Sequence, residues 1–579
     1  VMGKLADRYG RKLIYLFSIF LFGLGSLFCG LSQATGSFSL LLIARSIQAI
    51  GGGGILPVAT AEFGTTFPPE KRGLALGLVG GVFGIANVFG ASAGSAILDI
   101  FGQYNWQFIF YINLPISLFI IIAGLFALQN TKTESTSKID SLGITILSVM
   151  VLALLYGLKN IDFFNLGSTI ARTDVYPFLI LFVVFIPLFI LIEKKAQDPV
   201  INLKYFTDKN IVLTLALSFL TGFIMMGIIF APQFCENALK IKTGSGGYLI
   251  MILGLFAGIG APISGRLIDR FGVKIILAAG FTATIISSLF LIFVTTRAPS
   301  FFTVFVGLMF IGIGIGFTMG TPLNYMMLAN TDEKESNSSL AVLSLLRSIG
   351  MSVAPAVMVA FIAHAGASVQ TNISAILPAE IDIPLIAYAQ EIADELDKIK
   401  ADPNLKDKMG GFDFPDRTAL STVKINMDDS STDAIPEESL ELMKSSDVTT
   451  ITENTKIMAA AMFDRMTPGI IDRIQSGIAT GIDGIDRSMS QMTDTKHQLV
   501  TIEELINKMI AAKDSVPAVF ETAKNNYLKE IDRKSDDLEK TFQDTMNKGF
   551  NNVFATSALS SVMALLLLAF YSKKEAELI

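Results

Sequence analysis

Charge is scarce in this chain. Only 17% of its 579 residues are Asp, Glu, Lys or Arg, where an average soluble domain carries about 25%. Cysteine and histidine are scarcer, with two of each. Cys29 and Cys235 sit inside apolar runs and His364 and His497 lie far apart, so no disulfide framework or Cys/His zinc site can be assembled. No Walker A sequence is present, which removes ATP as a direct energy source. Gly51–Gly54 and the Gly312, Gly314 and Gly316 cluster lie in apolar stretches with no strand before them. They argue for close helix packing rather than dinucleotide binding. No signal peptide is visible after the charged opening at Val1, and the missing initiator Met gives the expectation that an N-terminal portion is absent.

What the chain has instead is apolar length. Hydrophobic residues make up 51% of it, with 48 glycines and 44 phenylalanines. The charge deficit is local. Residues 364–550 hold 33 acids and 20 bases, a net of −13, and the remainder holds 18 acids and 25 bases, a net of +7. The acidic pI averages two unlike parts and points to no partner, nucleic acid included.

A membrane-spanning helix needs roughly 20 mainly apolar residues. Twelve such runs are present: Ile14–Leu31, Phe38–Glu62, Leu74–Leu98, Phe108–Leu128, Leu142–Leu158, Tyr176–Ile192, Ile211–Phe234, Tyr248–Ile263, Ile275–Val294, Phe301–Leu328, Leu340–Ile362 and Val553–Tyr571. Short cytoplasmic loops retain Lys and Arg. With Val1 in the cytoplasm, the inner segments carry 18 Lys/Arg and the short outer loops five. Both chain ends are then expected inside and residues 364–550 outside. That stretch alternates helix-period apolar patterns with Pro and Gly breaks, which predicts an all-helical, acidic, extracytoplasmic insert. Lacking tryptophan and rich aromatics, it should have a thin core, with partial disorder around Asp402–Ser446.

An internal repeat sets the architecture. GKLADRYGRK at 3–12 recurs as GRLIDRFGVK at 265–274, an offset of 262, and Glu70-Lys71-Arg72 recurs as Glu333-Lys334-Glu335, an offset of 263. Duplicated bundles place a transport site at the axis relating their halves.

The first of these runs resembles the major facilitator signature between the second and third helices. The resemblance implies an inner gate latch of Gly3, Asp7, Arg8, Gly10 and Arg11, with Asp269 and Arg270 as its second-half counterpart. Arg45-Ser-Ile-Gln48 resembles the fourth-helix motif of proton-coupled facilitators, which implies proton coupling through Arg45 and Gln48; an arginine snorkelling to the outer interface is the bland alternative. Arg347, a third of the way into its run, is the second candidate coupling charge. Gly84, Gly90 and Gly94 resemble the fifth-helix antiporter motif, although Ala91 stands for its proline and Ser95 for its last glycine. Trp106 to Pro115, together with two extra spans between the repeats, resembles the fourteen-helix drug:proton antiporter family. Asn87, Gln233, Asn324, Phe223, Met226 and Tyr325 are cavity candidates; each serves equally well in helix–helix or lipid contact. Glu62, Asp99 and Glu236 lie at run ends, where a solvated carboxylate is the simpler reading.

The expected architecture is an all-α polytopic membrane bundle of the major facilitator fold, comprising two pseudosymmetric six-helix halves, two linker helices and the insert, with the first two helices missing. Its divisions are residues 1–130, 131–208, 209–363 with 551–579, and the insert 364–550. The expected function is proton-coupled export of amphipathic or cationic drugs across the plasma membrane, without enzyme activity or a cofactor. The alternatives are export of an envelope lipid, peptide or siderophore, with an envelope partner for the insert, and a scaffold or sensor that does not transport. In the full chain, Lys71→Cys should react with an impermeant maleimide only from the cytoplasm and Ser446→Cys only from outside. The reverse pattern in sealed vesicles would invert the topology.

Overall fold

The computed structural model describes residues 5–6, 9–66, 86, 90, 92–128, 140–161, 166–196, 199, 201–319, 321–331, 336–378, 380–401, 424–426, 446–490 and 496–572. They fall into two compact units, Val1–His364 with Asn547–Ile579, and Ala365–Met546.

The first unit is a helix bundle, as unpaired backbone groups in lipid require. Its helices are α1 (Arg11–Thr35), α2 (Phe38–Thr66), α3 (Ser92–Phe101), α4 (Phe108–Ala127), α5 (Ser141–Lys159), α6 (Tyr176–Glu193), α7 (Lys209–Leu239), α8 (Gly246–Phe271), α9 (Val273–Thr295), α10 (Phe301–Met319), α11 (Thr321–Leu328), α12 (Ser336–Ser374) and α17 (Ser535–Ala569), the last after the second unit's helices. Eleven spans among the described residues are long and apolar enough to cross a membrane. Of the run Leu74–Leu98, the described helical part is its end, in α3; most of the rest lies outside the described residues. Boundaries follow local chemistry. Asp208 accepts from the backbone N–H of Asn210 and Ile211 at the start of α7, and Asp140 accepts from Gly143 at the start of α5. Inside α7 a 3₁₀ turn, Gly227–Phe230, precedes Pro232, whose ring cannot continue regular helix pairing.

Contacts at the helix ends respect alternation. At one end Arg11 Nη1 meets Glu62 Oε2 at 3.4 Å and Lys12 Nζ donates to Leu125 O at 2.7 Å. In the second half, Lys274 Nζ donates to the carbonyls of Ala569 and Tyr571 and Asn210 Nδ2 to that of Ser572. At the other end Gln33 Nε2 donates to Tyr104 O, and Tyr248 Oη to Asp99 Oδ2. Every pair joins segments that twelve alternating crossings put on one side. The repeat is also visible in the backbone. Gly10 (φ 102°) directly precedes α1 and Gly272 (φ 81°) directly precedes α9, 262 positions later, both in a region that L side chains avoid. The closing helix α17 is held by Phe234 of α7, edge-to-face with Phe550 and Phe554 at centroid distances of 5.7 and 5.0 Å, and by Asn237 Nδ2 donating to Asn547 Oδ1.

The second unit takes in the last turns of α12, the first turns of α17, and α13 (Ala389–Ala401), α14 (Ile451–Met466), α15 (Pro468–Met489) and α16 (Lys496–Arg533). The expectation of an all-helical insert is corrected in one place: β1 (Glu380–Asp382) pairs antiparallel with β2 (Lys424–Asn426), Ile381 opposite Ile425. Helix α16 carries Leu505, Met509, Ala512, Val516, Phe520 and Ala523 at three- and four-residue spacing, all buried, which makes one stripe the spine of the unit. The core is therefore not thin: it is filled by aliphatic and methionine side chains around Phe463, Phe520 and Phe542. Across its surface Lys524 pairs with Asp464 at 2.6 Å and Lys508 with Glu391 at 3.1 Å. Hydrogen bonds to Asp532 and Glu453 push the Lys456 ammonium above its ordinary range. Apart from 424–426 and 446, the stretch 402–446 lies outside the described residues.

Phe520 is 1% exposed. Phe520→Ala should cost about 3–5 kcal/mol of unfolding free energy in this unit, whereas exposed Glu521→Ala should change it by less than about 0.5 kcal/mol. Urea-dependent proteolysis of the full chain reads both.

Candidate functional site

A charged side chain inside a span costs about 2.5–3.5 kcal/mol on insertion scales unless a partner or water meets it. Arg45, seven residues beyond the start of α2, has such partners. Its Nη1 donates to Gln48 Oε1 at 2.6 Å, one helical turn on. Gln48, 4% exposed, passes the link onward, its Nε2 donating to Ser26 Oγ of α1 at 2.7 Å. Asn113 Nδ2 of α4 donates to the same Ser26 oxygen at 3.3 Å, and Ser26 Oγ donates to Phe22 O. The guanidinium of Arg45 lies 5.7 Å from the centroid of the Phe110 ring. Three helices thus converge on a polar cluster some 8–15 Å from their nearer ends, taking 1.5 Å of rise per residue. Arg45 is itself exposed, and its guanidinium is directed along its own helix to Gln48.

The convergence depends on close backbone approach. A Cβ at Gly25 would lie 2.5 Å from the backbone N of Gln48, so only glycine lets α1 come near enough for Ser26 to reach Gln48. Sequence reasoning named Arg45 and Gln48 and quoted Asn113 within a motif, but missed Ser26 and Phe110. The small-residue string Gly23, Gly25, Ser26 in α1 was the available signal.

Other expected residues are less gathered. Of the latch, Gly3, Asp7 and Arg8 lie outside the described residues; Gly10 makes the positive-φ turn and Arg11 pairs with Glu62. Asp269 falls in α8, and Arg270 stands 5.3 Å from the Phe271 ring centroid. Gly84 and Asn87 lie outside the described residues, and a Cβ built on Gly90 or Gly94 meets no atom of the described residues within 4 Å. Gln233, Asn324 and Tyr325 are exposed, and Phe223 and Met226 half-buried on α7. The run-end carboxylates are not simply solvated. Glu62 meets Arg11, Asp99 accepts from Tyr248, and Glu236 Oε1 accepts from the N–H groups of Gly244 and Gly246 at 2.8 Å, capping α8. Among the described residues no cluster of three or more His, Cys, Asp or Glu could hold a metal.

The family model described as Major Facilitator Superfamily matches residues 1–355. The chain belongs to that superfamily. It is 36% identical over 367 residues to the uncharacterized MFS-type transporter YfiU of Bacillus subtilis, covering 62% of this chain and 69% of that protein. It is 31% identical over 383 residues to multidrug resistance protein 3 of the same organism, covering 64% and 69%. The solved xylose transporter XylE from E. coli is similar at 13% identity with a TM-score of 0.41, over 62% of this chain and 76% of that one. Superfamily membership makes the bundle a multi-pass membrane transporter acting on small molecules, and the expectation of an all-α polytopic bundle of the major facilitator fold is met.

Gly25→Leu should force α1 from α2 and abolish the monodisperse peak in size-exclusion chromatography. Gly94→Ala, with no described atom within 4 Å of the added Cβ, should leave the peak unchanged.

Proposed function

We propose that the chain is a secondary active transporter that exports amphipathic compounds, drugs among them, in exchange for protons, by alternating access. The observation that carries this is the Arg45–Gln48–Ser26 hydrogen-bonded chain inside the membrane. A guanidinium does not release its proton in a protein. Arg45 acts instead through its field: it holds any titratable group it faces in the anionic form and lets that group bind a proton when rocking of the halves carries it away. Gln48 and Ser26 keep the charge at a fixed depth while α1, α2 and α4 move as one body. The relation to multidrug resistance protein 3 supports export of drugs, and the duplicated latch supports rocking.

In this proposal the bundle lies in the cytoplasmic membrane, with Val1 and the C-terminus in the cytoplasm and residues 364–550 outside, as the Lys/Arg asymmetry favours. The insert is the place for an envelope partner.

In proteoliposomes of the full-length protein, Arg45→Ala should lower pH-gradient-driven dye efflux by about tenfold or more, an amount in line with about 1.4 kcal/mol of lost coupling energy. Gradient-free dye exchange should fall less. Efflux that stays gradient-driven at the wild-type rate would remove Arg45 from coupling.

A further inference from the structure

The second intramembrane cation is held quite differently from the first. Arg347 sits in α12 where that helix crosses α7 with no side chains between the backbones. Ser218 Oγ donates to Leu343 O at 2.9 Å; a Cβ at Gly222 would lie 2.1 Å from Arg347 O; and a Cβ at Gly350 would lie 2.1 Å from Phe219 O. Two turns of each helix are therefore locked, and the Arg347 backbone has no room to withdraw. Yet Nε and Nη2 of Arg347 are buried and have no hydrogen-bond partner among the described residues. Both are obligate donors on a permanent cation.

Among the described residues no carboxylate of the spans bonds to either atom. The twelve apolar runs contain no Asp or Glu away from their ends. Glu236 is engaged in capping α8, and Glu193 accepts from the N–H of Ile201. Beside the crossing, Phe219 and Phe223 of α7 lie with ring centroids 6.5 Å apart. The crossing thus carries two unspent, charged donors on α12 and a pair of aromatic residues on the stretch of α7 that it meets, which matches an oxyanion carried on an apolar body.

We propose that Arg347 is the recognition point for the anionic group of the transported compound, so that the substrate class is amphipathic organic acids: carboxylates, sulfonates or phosphates on an apolar body. This rests on the transporter reading and assigns to Arg347 substrate recognition in place of the proton coupling expected for it. Its two unpartnered N–H groups are what sets Arg347 apart from Arg45, whose guanidinium is already engaged by Gln48, and they suit bidentate pairing with an anion.

The test is equilibrium binding of dansyl-labelled undecanoate and dansyl-labelled undecylamine to the full-length protein in phosphatidylcholine nanodiscs. Wild-type protein should bind the acid about tenfold or more tighter than the amine, and Arg347→Gln should weaken acid binding by about tenfold to a hundredfold while leaving the amine within about twofold. Arg347→Lys should recover part of the acid affinity. Equal binding of the two probes by wild type, or equal loss of both in a natively eluting Arg347→Gln, would overturn the assignment. So would displacement of the acid on adding phosphatidylglycerol, which would give the site to a lipid headgroup. If gradient-driven dye efflux persists while binding is unselective, the inference fails and the transporter reading stands. If selectivity depends on Arg347 but no dye moves, the reverse holds.

Discussion

Close backbone approach between helices is the constraint on which the membrane bundle depends. In lipid, apolar side chains gain nothing by turning from hydrocarbon toward one another, so association must come from packing and hydrogen bonds. Gly25 against Gln48, Gly222 against Arg347 and Gly350 against Phe219 supply the packing. Ser26 with Gln48, and Ser218 with Leu343, supply the hydrogen bonds beside it. The same crossings that hold the bundle together also fix the depth of both intramembrane arginines. The packing of the bundle and the placement of its two arginines are consequences of one arrangement.

The unit Ala365–Met546 obeys the opposite rule. Its helices are marginal as isolated segments and gain stability by removing apolar surface from water. The stripe along α16 does this, with α13, α14 and α15 contributing side chains to the same core. Surface ion pairs such as Lys524 with Asp464 orient the helices and add little energy, since exposed pairs are screened.

Much of this was legible in residue order, because apolar length and loop charge are strong local signals. The spans from Arg11 to Thr35 and from Phe301 to Leu328 needed no tertiary information. The duplicated turn was equally plain, and its two glycines share one conformation. Arg45 and Gln48 were found by their cost in lipid and their one-turn spacing. Ser26 was not, since a serine within an apolar run is unremarkable until a neighbouring helix comes close. Glu236 was misjudged for the same reason: whether a span-end carboxylate faces water or caps the next helix depends on a loop, Lys240–Ser245, whose path is a tertiary outcome. The β1–β2 pair joins residues more than forty positions apart, beyond the reach of periodicity.

The aromatic clasp between Phe234 and the pair Phe550 and Phe554 has a temporal consequence. The ribosome finishes α7 long before it reaches α17, and the whole of Ala365–Met546 must be made in the interval. At about 5–20 residues per second, that delay is on the order of fifteen to sixty seconds. Throughout it the Phe234 ring and the Asn237 amide stand without their eventual mates. The nascent bundle is thus an unfinished object until the final helix arrives.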